Sequence, residues 1–229
     1  MNAVTHLSPK WLAALALAPA LALAEAPMVT DDAGTLERGG AKLELEWAKD
    51  GAVRGWGVAA GFAPIEHLEL ELSFGRARDT STSPSTTLRG TGFAAKWVPL
   101  EMGATTAGLK LEYEHERADG GGRARGTQLL GLLSHRFEPG HALHANLGRA
   151  WVRDNAGTRE SVTVWSLGGE LALSERVALT GDVYGESGGG STGRQLGLRV
   201  KVAEGVKLSV AAGRQGGESS GRVVAAWEF

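Results

Sequence analysis

Ala41-Lys42-Leu43-Glu44-Leu45-Glu46-Trp47-Ala48 alternates apolar and polar residues without a break. On an extended chain Leu43, Leu45 and Trp47 point one way, and Lys42, Glu44 and Glu46 point the other. The pattern returns in Leu68-Glu69-Leu70-Glu71-Leu72-Ser73-Phe74, and again where Leu109, Leu111 and Tyr113 oppose Lys110, Glu112 and Glu114. Working outward from these segments, period-two alternation predicts about twelve strands. They fall at 41–48, 55–62, 68–76, 88–98, 107–116 and 127–137, then at 141–152, 161–173, 177–186, 194–203, 206–214 and 221–229.

The connections alternate as well. Short ones are expected around Pro64, Pro99 and Pro139, at 174–176 and at 203–205. Longer ones, rich in Gly, Ser, Thr and charge, are expected at 49–54, 78–87, 118–126, 153–160, 187–193 and 215–220. Short turns on one rim and longer loops on the other are the plan of an outer-membrane barrel. The fold expected is all-β, a transmembrane up-and-down antiparallel β-barrel over residues 41–229.

A soluble barrel would turn the apolar face inward. Three features favour the reverse. Large aromatics share the Leu/Val face and gather near strand ends: Phe62, Trp97 and Phe137 at the short-turn side, Trp47, Trp56, Phe74, Tyr113, Trp151 and Trp165 at the loop side. That describes two girdles around an apolar band, with Phe93 and Tyr184 outside the pattern. Trp227 and Phe229 end the last strand in the same phase, which resembles the signal read by the barrel assembly machinery. The opposite face is too charged for a dry core, because each unpaired buried charge is costly. The lumen lining expected on the acidic side is Glu44, Glu46, Glu69, Glu71, Glu112, Glu114 and Asp182. On the basic side it is Lys96, Lys110, Arg199, Lys201, Lys207 and Arg222. Acids concentrate on strands one, three and five and bases on strands ten to twelve, so a closed barrel would carry an acidic wall beside a basic wall.

The chain has 229 residues, no cysteine, and 24 Lys and Arg against 26 Asp and Glu. That balance gives no footprint for nucleic acid and no disulfide framework. Residues 1–24 read as an export signal: Lys10, an apolar run from Trp11, and Ala22-Leu23-Ala24 as the cleavage site. The apolar run is shorter than the roughly twenty residues of a spanning helix. Residues 25–40 are too polar for a spanning strand. They form either a periplasmic tail or a lumen plug in which Asp31 and Asp32 meet Lys or Arg.

The stretch Pro27-Met28-Val29-Thr30-Asp31-Asp32-Ala33-Gly34-Thr35, running into Gly39-Gly40-Ala41-Lys42-Leu43-Glu44-Leu45-Glu46, resembles the start of the meta-pathway phenol-degradation outer-membrane family. Glu37 and Arg38 stand where that family has a small linker. The resemblance implies a small transporter-type barrel in the bacterial outer membrane that passes small solutes, with aromatic compounds as the class its name suggests, while the charged walls suit zwitterionic or polar organic ones.

Other signals are weaker. His141 and His144 lie three apart and face opposite ways on a strand, so they share no metal. His115 and His135 belong to the outer face. A lipid hydrolase needs an outward Ser beside a His, and none pairs convincingly with His115. The loop Gly188-Gly189-Gly190-Ser191-Thr192-Gly193-Arg194 lacks the Lys of a phosphate loop. No catalytic residue, metal or cofactor is expected. The expected partners are outer-membrane lipid and lipopolysaccharide, the assembly machinery, and small solutes. The leading expectation is a passive channel, and the alternative is a non-conducting structural or surface-interaction barrel.

Overall fold

The computed structural model describes residues 26–154, 157–188 and 190–229. The export signal expected at 1–24 lies outside the described residues. Twelve strands close into one antiparallel barrel in chain order, with the last pairing to the first. They are β1 (Ala41–Asp50), β2 (Val53–Ile65), β3 (Leu68–Asp79), β4 (Thr86–Met102), β5 (Thr105–Ala118), β6 (Arg123–Phe137), β7 (His141–Arg153), β8 (Arg159–Ala172), β9 (Val177–Glu186), β10 (Gly193–Ala203), β11 (Val206–Gln215) and β12 (Glu218–Glu228). Closure rests on a continuous register in which Leu43 faces Trp227 and Asp50 faces Ser220. Phe229 extends the seam, since its N–H donates to the Ala41 carbonyl and the Ala41 N–H donates back. No edge is left to pair with another chain.

The alternation sorts residues to two surfaces, and the sorting is inside out. Leu72, Leu147 and Leu196 are 56%, 64% and 68% exposed, while Glu69, Lys96 and Lys110 are 6%, 6% and 3% exposed. Water on both faces would strongly disfavour that arrangement, whereas hydrocarbon outside and a polar lumen inside favour it. The barrel is therefore a transmembrane one. Trp56, Phe74 and Trp97 stand on the outer face, and His135 packs edge-on against Phe137 at a centroid distance of 4.4 Å. Tyr184 instead lines the lumen, which accounts for its odd phase.

The turns differ from expectation in a consistent way. Pro64 and Pro99 do not turn the chain; β2 and β4 run past them. Each proline sits in a register irregularity, between Phe62 and Ile65 and between Trp97 and Leu100. A proline lacks the N–H a ladder requires, and a bulge at the sheet rim accommodates it. The turns follow at residues 66–67 and 103–104. On the opposite rim the strands reach further than alternation alone indicated. Residues 51–52 and 216–217 suffice to link β1 to β2 and β11 to β12, and glycines with positive φ (Gly51, Gly216 and Gly217) make the reversals.

Leu72 lies at mid-span in β3. Replacing it with Arg is expected to destabilise the folded barrel by about 2–4 kcal/mol, the cost of a cation near the bilayer midplane. Urea titration of the protein refolded into vesicles checks this.

Candidate functional site

The site is the lumen, and its defining feature is the N-terminal segment. Residues 26–40 carry no strand or helix. They cross the interior from the β10–β11 wall to the β2 rim. A chain without secondary structure still has to satisfy its buried backbone groups, and here inward side chains do it one at a time. Arg199 Nε and Ser209 Oγ donate to the Ala26 carbonyl at 2.8 and 3.2 Å, and Gln195 Nε2 donates to the Pro27 carbonyl at 2.7 Å. The N–H groups of Val29 and Thr30 both donate to Asp182 Oδ2, at 2.5 and 2.9 Å. Asn146 clamps Asp31 from both ends, accepting its N–H at 2.7 Å and donating to its carbonyl at 2.9 Å. Ser134 accepts the Ala33 N–H at 2.7 Å, and Thr106 donates to the Ala33 carbonyl at 2.6 Å. Glu69 accepts the Leu36 N–H at 3.1 Å. At the rim, Gly39 and Gly40 exchange hydrogen bonds with Ala63.

The electrostatic centre is Asp31, 2% exposed. Lys96 Nζ reaches its Oδ1 at 2.6 Å, and Lys110 Nζ binds Oδ2. Lys96 also donates to Asp32 at 3.1 Å, and Arg136 approaches Asp32 at 3.8 Å. Burial pushes the Asp31 carboxyl up, but the Lys110 and Lys96 ammoniums outweigh it and hold it below the ordinary carboxylate range. Asp32 is likewise held down, Lys96 overcoming its burial. Space for the segment comes from two wall glycines. A Cβ on Gly168 would lie 2.8 Å from Thr30 Cβ, and one on Gly197 would lie 2.7 Å from Pro27 Cγ.

The other lining residues divide into three groups. Glu69 and Glu71 are bridged by Lys42, at 2.7 and 3.0 Å, with Glu44 at 3.6 Å. Glu112 pairs with Lys110 at 2.8 Å and accepts from Gln128. Glu46, Glu112 and Glu114 line a cavity of about 260 Å³ on the loop side of the segment, whose floor includes Val29 and Asp31. Glu46 meets Arg222 only at 3.8 Å, and its Oε2 has no hydrogen-bond partner.

The bases expected on β10–β12 stand beside carboxylates. Arg199 is bonded to Glu170 at 2.8 Å, Lys207 to Glu228 at 2.8 Å, and Arg222 faces Glu46. Lys201 is exposed at the short-turn rim, opposite Lys207, and lies outside the buried lumen. The acidic wall is tempered too, because Lys42 stands inside it. Reading by formal charge also passed over Asn146, Gln195, Ser134 and Thr106, the neutral side chains that seat the segment. Their inward phase was the available signal. His144 is buried in the lumen, sharing a 2.8 Å hydrogen bond with Ser134. Trp227 lies in outward phase near the short-turn rim, and the exposed Phe229 follows it. Among the described residues no group of His, Cys, Asp and Glu is placed to hold a metal.

Residues 12–226 match the family described as Uncharacterised conserved protein UCP029691. The chain belongs to that family. The phenol-degradation name is not attached to the match. No curated protein matches the chain by sequence. Among solved structures, the chain is similar to the COG4313 outer membrane channel from Pseudomonas putida F1, with a TM-score of 0.67 at 11% identity, over 88% of this chain and 100% of that one. It is similar to the KdgM porin in complex with disordered oligogalacturonate, with a TM-score of 0.63 at 10% identity, over 82% and 99%. It is also similar to the translocator domain of autotransporter NalP from Neisseria meningitidis, with a TM-score of 0.62 at 15% identity, over 86% and 89%. At such identities the likeness is one of fold, the fold of bacterial outer-membrane barrels.

Asp31→Asn removes the anion between two buried ammoniums. Breaking such a pair from one side is expected to weaken docking of the segment by roughly 3 kcal/mol. Hydrogen exchange at the Asp31 and Ala33 amides checks it. In the wild type, carboxyls held below their unfolded values contribute stability above pH about 4. Protection, corrected for intrinsic exchange, should stay level from pH 7 to 5 and fall only below that range.

Proposed function

We propose that this protein is an outer-membrane channel for small polar solutes, closed in the present form by residues 26–40. One observation carries the reading: the loop-side half of the lumen is a cavity of about 260 Å³ whose floor is the docked segment rather than the barrel wall. A barrel of twelve strands is wider than the eight-stranded kind that side chains fill alone. The space below the cavity is occupied by a stretch of chain held by hydrogen bonds and ion pairs, with Met28 and Ala33 buried among them.

The lining supports a solute class. Inward carboxylates around the cavity are Glu46, Asp50, Glu112, Glu114 and Glu186, while the inward bases are Lys110 and Arg222, with Lys49 and Arg54 at its mouth from outward positions. Lys110 is engaged by Asp31 and Glu112. Fixed charge of one sign biases which solutes enter, so cationic and zwitterionic organic solutes are favoured over anions and over apolar aromatics. A second reading, a permanently closed structural barrel, draws on the extent of the buried network around Asp31.

Single-channel conductance in a planar bilayer separates the two. The chain from residue 25 is compared with one lacking 25–36, which keeps the Gly39 and Gly40 bonds to β2. The truncated form should show a larger, steady, cation-selective conductance, and a Glu46→Gln, Glu114→Gln double variant of it should lose much of that selectivity. Silence from both forms would leave the closed barrel standing.

A further inference from the structure

The loop-side rim sorts its charges by face. Its inward positions carry the carboxylates named above. Its outward positions carry bases, and they stand opposite one another from strand to strand. Arg76 on β3 pairs in register with Arg89 on β4, Arg89 with Arg117 on β5, and Arg117 with Arg123 on β6. Arg125 on β6 faces Arg153 on β7, which faces Arg159 on β8. Lys49, Arg54 and Arg78 repeat the arrangement over β1–β3, and Arg194 faces Arg214 over β10–β11. All of these side chains are exposed.

Like charges directly opposite across a ladder are destabilising. Nothing on the wall itself relieves them, since no outward loop-side position among the described strand residues carries Asp or Glu. Three neighbours give partial relief: Asp119 meets Arg89 at 3.1 Å, and Arg78 and Arg149 bond to Ser85 and Ser161. A guanidinium fork is suited to bidentate contact with phosphate oxygens, and a phosphate set between two opposed forks converts repulsion into attraction.

Depth supplies a second, independent argument. Arg54 lies two residues beyond Trp56, Arg76 two beyond Phe74, Arg153 two beyond Trp151, and Lys49 two beyond Trp47. Two strand residues span roughly 7 Å. The aromatics mark the headgroup boundary, so the ladders begin just above it with Arg76 and Arg153, and Arg117, four residues beyond Tyr113, stands higher on the headgroup side of the loop-side leaflet. The short-turn rim has no matching ladder among its described outward positions.

We infer that the arginine ladders of β3–β8 are a binding surface for the phosphorylated headgroup of an outer-leaflet glycolipid. The headgroup spans neighbouring strands and ties the barrel to that leaflet.

The test uses the folded chain in a neutral detergent and follows its thermal unfolding during titration with diphosphorylated lipid A. Dephosphorylated lipid A and inorganic phosphate serve as comparison probes. The diphosphorylated lipid should raise the unfolding temperature. A triple variant, Arg89→Gln, Arg117→Gln and Arg123→Gln, should bind it at least tenfold more weakly. A triple Arg→Lys variant at the same sites, keeping charge but losing the fork, should fall between. If the Gln variant does not fold, the pair Arg125→Gln and Arg153→Gln provides the same comparison on the second ladder. Unchanged affinity in the Gln variants, or equal binding of the dephosphorylated lipid, would overturn the inference. An equal response to inorganic phosphate at the same concentration would overturn the assignment to lipid.

Discussion

Inside a bilayer no water is available to satisfy a backbone amide or carbonyl, so a spanning sheet has to close on itself. The β1–β12 seam, from Lys42 opposite Glu228 to Asp50 opposite Ser220, is where this chain meets that requirement. Closure creates an inside and an outside, and period-two alternation then assigns every residue to one of them. Leu43 and Glu44 are neighbours in sequence, but Leu43 belongs to the lipid-facing surface and Glu44 to the lumen. A one-residue slip at the seam would exchange the two faces along a strand, exposing Glu44, Glu46 and their counterparts to hydrocarbon. Register is therefore fixed far more strongly than by hydrogen bonds alone.

The same constraint creates an electrostatic problem inside. Lys96 and Lys110 stand on adjacent strands, directly opposite in register. Two ammoniums so close in a water-poor interior repel strongly. Asp31 resolves this by accepting from both, and it is brought there by a segment with no regular structure of its own. The lumen and the segment thus complete each other: the wall supplies bases and amide partners, and the segment supplies the missing anion. Such pairing gives a definite location more than it gives net stability, because both ions had to leave water. A docked segment of that kind sits in one place.

How much of this the sequence disclosed follows from the kind of interaction involved. Strand number, chain order and facing are carried by alternation within each strand, so they are local and were legible at Leu43-Glu44-Leu45-Glu46 and Leu68-Glu69-Leu70-Glu71. The strand ends were less legible, because Pro64 and Pro99 mimic turn signals while standing in bulges of a continuing strand. The seat of the segment depends on contacts such as Asp31 with Asn146 and Pro27 with Gln195, which have no periodicity and lie far apart in sequence. Gly168 and Gly197 are indistinguishable in the sequence from any strand glycine, and it is the Thr30 and Pro27 side chains, with Thr180 also close to Gly197, that show why no Cβ fits there. The pairing of the bases is hidden for a related reason: formal charge was legible, while the carboxylate partners of Arg199 and Lys207 belong to other strands.

On the loop side, acid inward and base outward is not a consequence of closure. Alternation demands only polar inside and apolar outside across the hydrocarbon, and above the aromatic girdle both faces meet water or headgroups. Glu114 and Glu116 point in while Arg117 points out, on one strand. Placing the arginines inward would have neutralised the lumen carboxylates and relieved the cross-strand repulsion between Arg89, Arg117 and Arg123 in a single step. The arrangement forgoes that relief on both faces. Each face is left with an excess of one sign, carboxylates lining the loop-side lumen and guanidiniums around its outer rim. The two features draw on the same strands yet are separable. Removing rim guanidiniums leaves the inward carboxylates in place, and removing carboxylates leaves the ladders intact.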